Sequence, residues 1–250
     1  MDTNENGQNS DKIEKIPTYI EGLDKLIYGG IPKGSQVLIS GGTGAGKTLM
    51  CMQILYNQAE KAGIPSAFIS FEEEPKAIIS NFKEAFPNLN KIDEFIRKGI
   101  ISVTKSEAYT HIIQRSDTPA YYFGDITSEI DGIILRNNAQ IIVIDPISLI
   151  RLISLDKLQY RKVLISILSI VKGKNVTGLY TFEMETPERK SMHFNSEFFI
   201  FDAVIAMYMD MQNERRTPLL EVLKTRGSKH SWIAAPYDIK DGGIEVLSVS

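Results

Sequence analysis

The chain holds 250 residues, 43% of them hydrophobic and 24% charged, enough for one substantial α/β core. Its net charge of −3 excludes a global positive field that would draw it to nucleic acid or anionic lipid. One cysteine, Cys51, leaves no disulfide or thiolate metal site and fits a reducing, cytoplasmic setting, and no apolar run approaches the ~18 residues of a membrane span.

Met1–Ser10 is polar and carries no signal-peptide core, so residues 1–15 read as a disordered tail ahead of a single domain over 16–250. A short apolar strand, Gln36–Ser40, then leads into Gly41–Thr48, GGTGAGKT, and a helix is expected over Leu49–Lys61. The octapeptide is a complete GxxxxGK[ST] phosphate loop in its required strand–loop–helix context. Its glycines let the backbone N–H groups of Gly42, Thr43, Gly44, Ala45 and Gly46 converge on phosphate, and the helix beginning near Leu49 adds its partial positive charge. Lys47 supplies a formal charge to the β/γ-phosphates, and Thr48 offers a hydroxyl to Mg²⁺. ATP and Mg²⁺ are therefore the expected ligands.

Further along, Ser66–Phe71 is a β-rich run, and Pro75 opens an expected helix over Pro75–Phe86. Ile100–Val103 reads as a strand. Glu107–Gly124 shows no clear period and reads as the longest loop, with Asp125 as the N-cap of a helix to about Asn138. Gln140–Ile144 is continuously apolar, as a strand buried on both faces should be. A long helix is expected over Asp156–Lys172, ended by Gly173, and a strand over Thr177–Phe182. From Ala203 onward the runs AVIAMYMD, PLLEVLKTR, PYDI and GIEVL, broken by turns such as Asp241–Gly243, read as antiparallel strands. The fold class is thus α/β, a mostly parallel twisted sheet flanked by helices with antiparallel C-terminal strands.

Two acidic positions can complete the chemistry. Asp145 ends the apolar strand Gln140–Ile144, the Walker B arrangement, where a carboxylate holds the Mg²⁺ water shell. Glu72, Glu73 and Glu74 follow Ser66–Phe71 at the carboxyl end of the sheet, where α/β ligands bind. Glu72 is the expected base for the attacking water, with Glu73 assisting. Lys224 and Arg226, two apart on a strand, point to one side, a layout suited to phosphate oxygens, although from spacing alone a salt-bridged edge strand is the simpler reading.

Taken together, the chain resembles the KaiC-like branch of the RecA-superfamily ATPases. The resemblance runs from Ile16 to Val246 through Ile20–Gly34 (IEGLDKLIYGGIPKG), the P-loop, Phe71-Glu72-Glu73, Ile144-Asp145, Thr181-Phe182-Glu183, Lys224-x-Arg226-Gly-Ser-x-His230 and Ile239–Ile244. It implies a RecA-like core, assembly into a homo-oligomeric ring, usually a hexamer, and ATP held between subunits. It also implies that Glu72 and Glu73 are the catalytic carboxylates and that Lys224 and Arg226 reach a neighbour's γ-phosphate as trans fingers. Ser228, His230, Lys240 and Asp241 are then expected near the nucleotide from that same neighbour. Pro146 and Lys240 depart from the family's usual hydroxyl residues. The phosphosites of the clock autokinase half have no counterpart in Glu197–Phe201, so autophosphorylation there is not expected.

The expectation is a slowly hydrolysing, ring-forming regulatory or signalling ATPase with an unidentified protein partner. The alternatives are a nucleotide-dependent assembly module with negligible turnover, or a RecA-paralogue-like DNA-associated ATPase. Arg189 and Lys190, on the Thr186–Phe194 loop, would serve the last, but a solvated loop is the simpler reading. His111 and His193 lack companions at metal-ligand spacing, and Met207, Met209 and Met211 alternate as packing residues. Trp232 fits base stacking, a subunit interface or a core.

Overall fold

Alternation along the central strands sends side chains into two separate cores. In the computed structural model, which describes residues 13–114, 123–185, 188–191, 196–212 and 215–247, strand β3 is Gln36–Gly41. Its Val37 and Ile39 join one buried cluster while Leu38 joins the other. Strands β4 (Ser66–Ser70) and β6 (Ile141–Asp145) do the same, Phe68 and Val143 facing one way, Ile69 and Ile144 the other. A strand with both faces covered must be apolar on both, which is why these runs show no polar alternation.

The main sheet has nine strands. A two-stranded pair, β1 (Lys15–Ile16) with β2 (Ile31–Pro32), stands beside it. The remaining strands are β5 (Ile101–Lys105), β7 (Thr177–Glu183), β8 (Ala203–Gln212), β9 (Arg215–Thr225), β10 (Ala235–Lys240) and β11 (Gly243–Val246). The order is β11-β10-β9-β8-β3-β7-β6-β4-β5. Neighbours from β8 through β5 pair in parallel, whereas β9, β10 and β11 join antiparallel. That is the mostly parallel sheet with antiparallel C-terminal strands that the apolar runs imply.

Helices cover both faces. A single turn, α1 (Leu23–Leu26), precedes β2, and α2 (Lys47–Ala62), α3 (Pro75–Ala85, Pro75 at its first turn) and α4 (Ile92–Arg97) pack together. On the other face lie α5 (Glu107–Gln114), α6 (Phe123–Asn137) and α7 (Lys157–Gly173). Asp156 caps α7, its carboxylate accepting from the Gln159 N–H at 2.7 Å.

Two expectations are corrected here. Residues 107–114 are helical rather than loop, because Tyr109 and Ile112, three apart, are both buried and Ser106 Oγ accepts the Tyr109 N–H at 3.0 Å. Tyr109 also stacks on Phe71 with ring centroids 4.9 Å apart, a contact that periodicity could not reveal. Likewise Asp125 lies inside α6, which already includes Phe123, instead of capping it; Phe123 packs on the core. Of the expected tail over residues 1–15, residues 1–12 lie outside the described residues while Lys15 is already paired in β1; parts of the Thr186–Phe194 loop, His193 among them, also lie outside.

Candidate active site

The loop leaving β3 is shaped by two glycines in the left-handed region, Gly44 at φ +78° and Gly46 at φ +86°. Only glycine takes such angles freely, so the turn that aims successive N–H groups inward depends on them. From Gly46 the chain enters α2 directly, Met50 N–H donating to Gly46 O at 2.8 Å. The helix N-terminus, whose first N–H groups have no intrahelical partner, thus begins directly at the loop.

Lys47 folds back over this loop, its Nζ donating to Gly41 O and Gly42 O, both at 2.9 Å. Burial lowers its pKa, while the carboxylates of Glu183 and Asp145 oppose that shift. Thr48 Oγ1 donates to Asp145 Oδ2 at 2.8 Å, and Thr181 Oγ1 donates to the other oxygen, Oδ1. Asp145 is only 6% exposed, and burial raises its pKa against the pull of the two hydroxyls and Lys47. The P-loop threonine and the strand-end aspartate thus meet, as the two motifs require.

A hydroxyl and a carboxylate oxygen side by side form a hard donor pair that suits Mg²⁺. Among the described residues no group of three His, Cys, Asp or Glu is gathered to hold a metal, so an ion here needs phosphate and water oxygens to complete its shell. Thr48 and Asp145 are the residues that would hold it.

Around these groups lies a hollow of about 180 Å³ whose walls include Thr43, Lys47, Glu72, Glu73, Asp145 and Glu183. Glu72 N–H donates to Ser70 Oγ at 3.2 Å, turning the chain at the end of β4. Glu73 is approached by Asn81 Nδ2 at 3.4 Å. Burial raises the pKa of Glu73, and the charges of Asp145 and Glu72 add to the shift. Both expected carboxylates therefore open on the same hollow as the P-loop.

Other site candidates lie elsewhere. Lys224 Nζ donates to Phe201 O at 2.6 Å and to Phe198 O and Phe199 O at 3.3 Å, and Arg226 Nη2 donates to Phe199 O at 2.7 Å. They sit at the start of β8: Ala203 pairs with Thr225 on one side and with Val37 on the other, whereas Gly41 pairs with Met207. Arg226 N–H bonds to Asp202 O, five residues before Met207, which at ~3.3 Å per residue is roughly 17 Å down the sheet from the P-loop. Ser228 Oγ donates to Lys229 O at 3.2 Å, and the His230 ring lies 5.0 Å from that of Trp232, which is 81% exposed and no part of the core.

Lys240 and Asp241 stand at the turn of the β10–β11 hairpin, which reaches the chain's own P-loop through Tyr237. Tyr237 Oη donates to Ala45 O at 2.7 Å, and Gln53 brackets Ile244, accepting its N–H at 2.7 Å. Lys240 pairs with Glu245 at 2.5 Å, and Asp241 O accepts the Asn88 N–H at 3.1 Å.

Sequence reasoning gave no role to Thr181, Glu183 or Tyr237. Thr181 and Glu183 alternate on β7, and the register that sets Glu183 beside Gly41 joins residues 142 apart in the chain. Thr43 Oγ1 donates to Glu183 Oε1. A carboxylate directly after an apolar strand was the available signal, the one that pointed to Asp145 and Glu72.

A phosphate loop on a central strand, a carboxylate ending a nearby strand and parallel strands continued antiparallel define a P-loop nucleotide-binding protein with a RecA-like core. Residues 16–250 match the family described as "ATPase: KaiC", and the chain belongs to that family. It is 28% identical over 235 residues to the circadian clock oscillator protein KaiC of Picosynechococcus sp. (strain ATCC 27264 / PCC 7002 / PR-6), covering 94% of this chain and 45% of that protein. Against a UPF0273 protein of Sulfurisphaera tokodaii it is 29% identical over 244 residues, covering 94% of this chain and 83% of the relative. The chain thus spans under half of the clock protein but most of the archaeal one. Among solved structures, the KaiC-like protein PH0186 of Pyrococcus horikoshii OT3 superposes with a TM-score of 0.79 at 26% identity, covering 95% of this chain and all of that one. Family membership supports an ATPase, and among the described residues no helix is long and apolar enough to cross a membrane.

Proposed function

We propose that this protein is a slowly turning ATPase whose domain, residues 16–250, assembles into a homo-oligomeric, hexameric ring and completes hydrolysis at subunit interfaces. Gly42–Leu49 holds the phosphates of ATP, Lys47 neutralises the β/γ charge, and Thr48 with Asp145 holds Mg²⁺, which stabilises charge on the leaving phosphate when bound. Glu72 takes the proton of the attacking water and Glu73 assists. Lys224 and Arg226 act on the γ-phosphate of the adjoining copy, with Ser228 and His230 beside them. Lys240 and Asp241, like Ser228 and His230, stand near that same nucleotide of the adjoining copy.

One observation carries this reading. Arg226 is held roughly 17 Å and Lys224, which pairs with Val204, roughly 10 Å down the sheet from their own P-loop, each beyond the reach of its side chain, so a second copy is required for them to act. The role is regulatory or signalling, in the cytoplasm, with a protein partner as the recipient of the nucleotide state. Among the described residues Arg189 is matched by Glu221 at 2.8 and 2.9 Å, which argues against the DNA-associated reading.

The test is ATPase rate against protein concentration, with native mass followed in parallel in ATP–Mg²⁺. The rate per subunit is expected to climb as the ring forms. A stable ring without turnover would leave only the assembly module, and a fully active monomer would remove the trans assignment.

A further inference from the structure

Four carboxylates, Glu72, Glu73, Asp145 and Glu183, share the phosphate hollow with a single cation, Lys47. The proposed hydrolysis gives Glu72 and Glu73 to the water and Asp145 to Mg²⁺, which leaves Glu183 without a part in it. It is nevertheless a built feature. Strand register sets it level with Gly41, its N–H reaches Ser148 Oγ at 3.4 Å, and Thr43 of the P-loop donates to its carboxylate. Lys47 feels its charge, yet donates to the carbonyls of Gly41 and Gly42 instead of pairing with it.

A negative group bonded to the P-loop at the carboxyl end of β7 opposes any further negative group brought there. ADP and ATP differ at this point by the charged γ-phosphate alone. We infer that Glu183 is a specificity-determining gate that disfavours triphosphate over diphosphate in a lone chain, and that cations from an adjoining copy cancel this bias. The inference rests on the trans placement of Lys224 and Arg226 proposed above. Its consequence is a link between assembly and nucleotide choice: the lone chain tolerates ADP, and the ring favours ATP.

The size follows from Coulomb's law in a wet site. One unit charge about 6 Å away at an effective dielectric near 60 changes the preference by roughly three- to tenfold. Glu183→Gln keeps an acceptor for Thr43 and removes the charge, and Glu183→Lys reverses it. ADP and the β,γ-imido analogue of ATP, each with Mg²⁺, are titrated by calorimetry at protein concentrations where native mass reports monomer. The ratio of triphosphate to diphosphate affinity should rise in the order wild type, Gln, Lys, by about three- to tenfold per charge step. In the assembled ring the gap between wild type and Glu183→Gln should shrink, and Arg226→Ala should restore it. A merely structural Glu183 predicts equal changes for both nucleotides with no charge order, and that result overturns the gate. A charge order in the monomer that persists unchanged in the ring overturns the cancellation. If the wild-type chain binds neither nucleotide, the ATPase reading itself fails and the gate fails with it.

Discussion

The main-chain N–H of Arg226 donates to the carbonyl of Asp202 at 2.8 Å, which ties the arginine to the start of β8 and so to the far end of the sheet from Gly41. Asp202 in turn takes the Gln36 N–H at 3.1 Å and the Lys172 ammonium at 3.1 Å, so this anchor is shared by three segments. The main chain of Arg226, the proposed finger, is thus anchored away from its own P-loop.

A complementation experiment reads that relationship directly. Arg226→Ala should lower turnover by ~10³-fold or more while ADP affinity of the monomer stays unchanged. Glu72→Gln should abolish turnover by removing the base. Mixed in equal amounts, the two dead proteins should regain measurable activity, because some interfaces pair an intact base with an intact finger. No recovery from rings shown by mass to be mixed would argue that both groups act within one chain.

Asp145 trades stability for function. Burial raises its pKa, so the ligand-free fold favours the protonated acid; that contribution is complete below the unfolded pKa and is lost as pH rises through the folded one. Asp145→Asn should therefore raise the melting temperature of the ligand-free protein at neutral pH by a few degrees, with the gain fading as pH falls into the carboxylate range. The same substitution should weaken Mg²⁺-dependent ATP binding. Thermal unfolding across pH, with and without ATP–Mg²⁺, separates the two effects.

Glu73 offers a pH signature. Burial, then the charges of Asp145 and Glu72, raise its pKa, so its base form accumulates at a higher pH than that of an unperturbed glutamate. Wild-type turnover should climb through that interval. Glu73→Gln should flatten this part of the kcat–pH profile and cost about tenfold or less, against the near-complete loss in Glu72→Gln. An unchanged profile would remove Glu73 from the reaction.

Trp232 is the single tryptophan of the chain and is 81% exposed, with Ile233 beside it at 49%. If the segment after Arg226 enters a subunit interface, the indole must leave water when the ring forms. Its emission should move to shorter wavelength or quench on adding ATP–Mg²⁺, at the same protein concentration at which native mass increases. Assembly with unaltered emission would put this segment outside the interface.

The strands and the phosphate loop were legible because their signals are local. Gln36–Ser40 and Gln140–Ile144 are apolar runs that only a doubly covered sheet demands, and the P-loop glycines encode the left-handed angles of the turn. Asp145 could be placed because a Walker B strand ends in it. Helix α5 was missed because its anchors are tertiary: Tyr109 is fixed by stacking on Phe71, and Glu129 takes the Glu107 N–H at 2.8 Å from the next helix. Glu183 was missed as a site residue for the same reason, since its neighbours Thr43 and Ser148 come from other segments. Spacing put Lys224 and Arg226 on one strand, but β9 ends at Thr225 and Arg226 lies just beyond it; that this strand end is remote from the P-loop depended on the β8–β9 register.

That register also positions the hairpin that closes the P-loop from behind. Tyr237 is 2% exposed, and its hydroxyl donates to Ala45 O at 2.7 Å, the only side-chain bond to that loop carbonyl among the described residues. Tyr237→Phe removes the donor and leaves a buried carbonyl unsatisfied, at about 1–2 kcal/mol. The cost should divide unequally. Chemical denaturation should show the modest global loss, while hydrogen exchange should report earlier opening in residues 42–46 than in β3. ATP affinity should fall by a similar free energy, roughly five- to thirtyfold, if the loop must be held in shape to bind phosphate. Loss of stability with unchanged ATP affinity would instead make the hairpin a packing element, with the glycines and α2 alone holding the loop for its nucleotide.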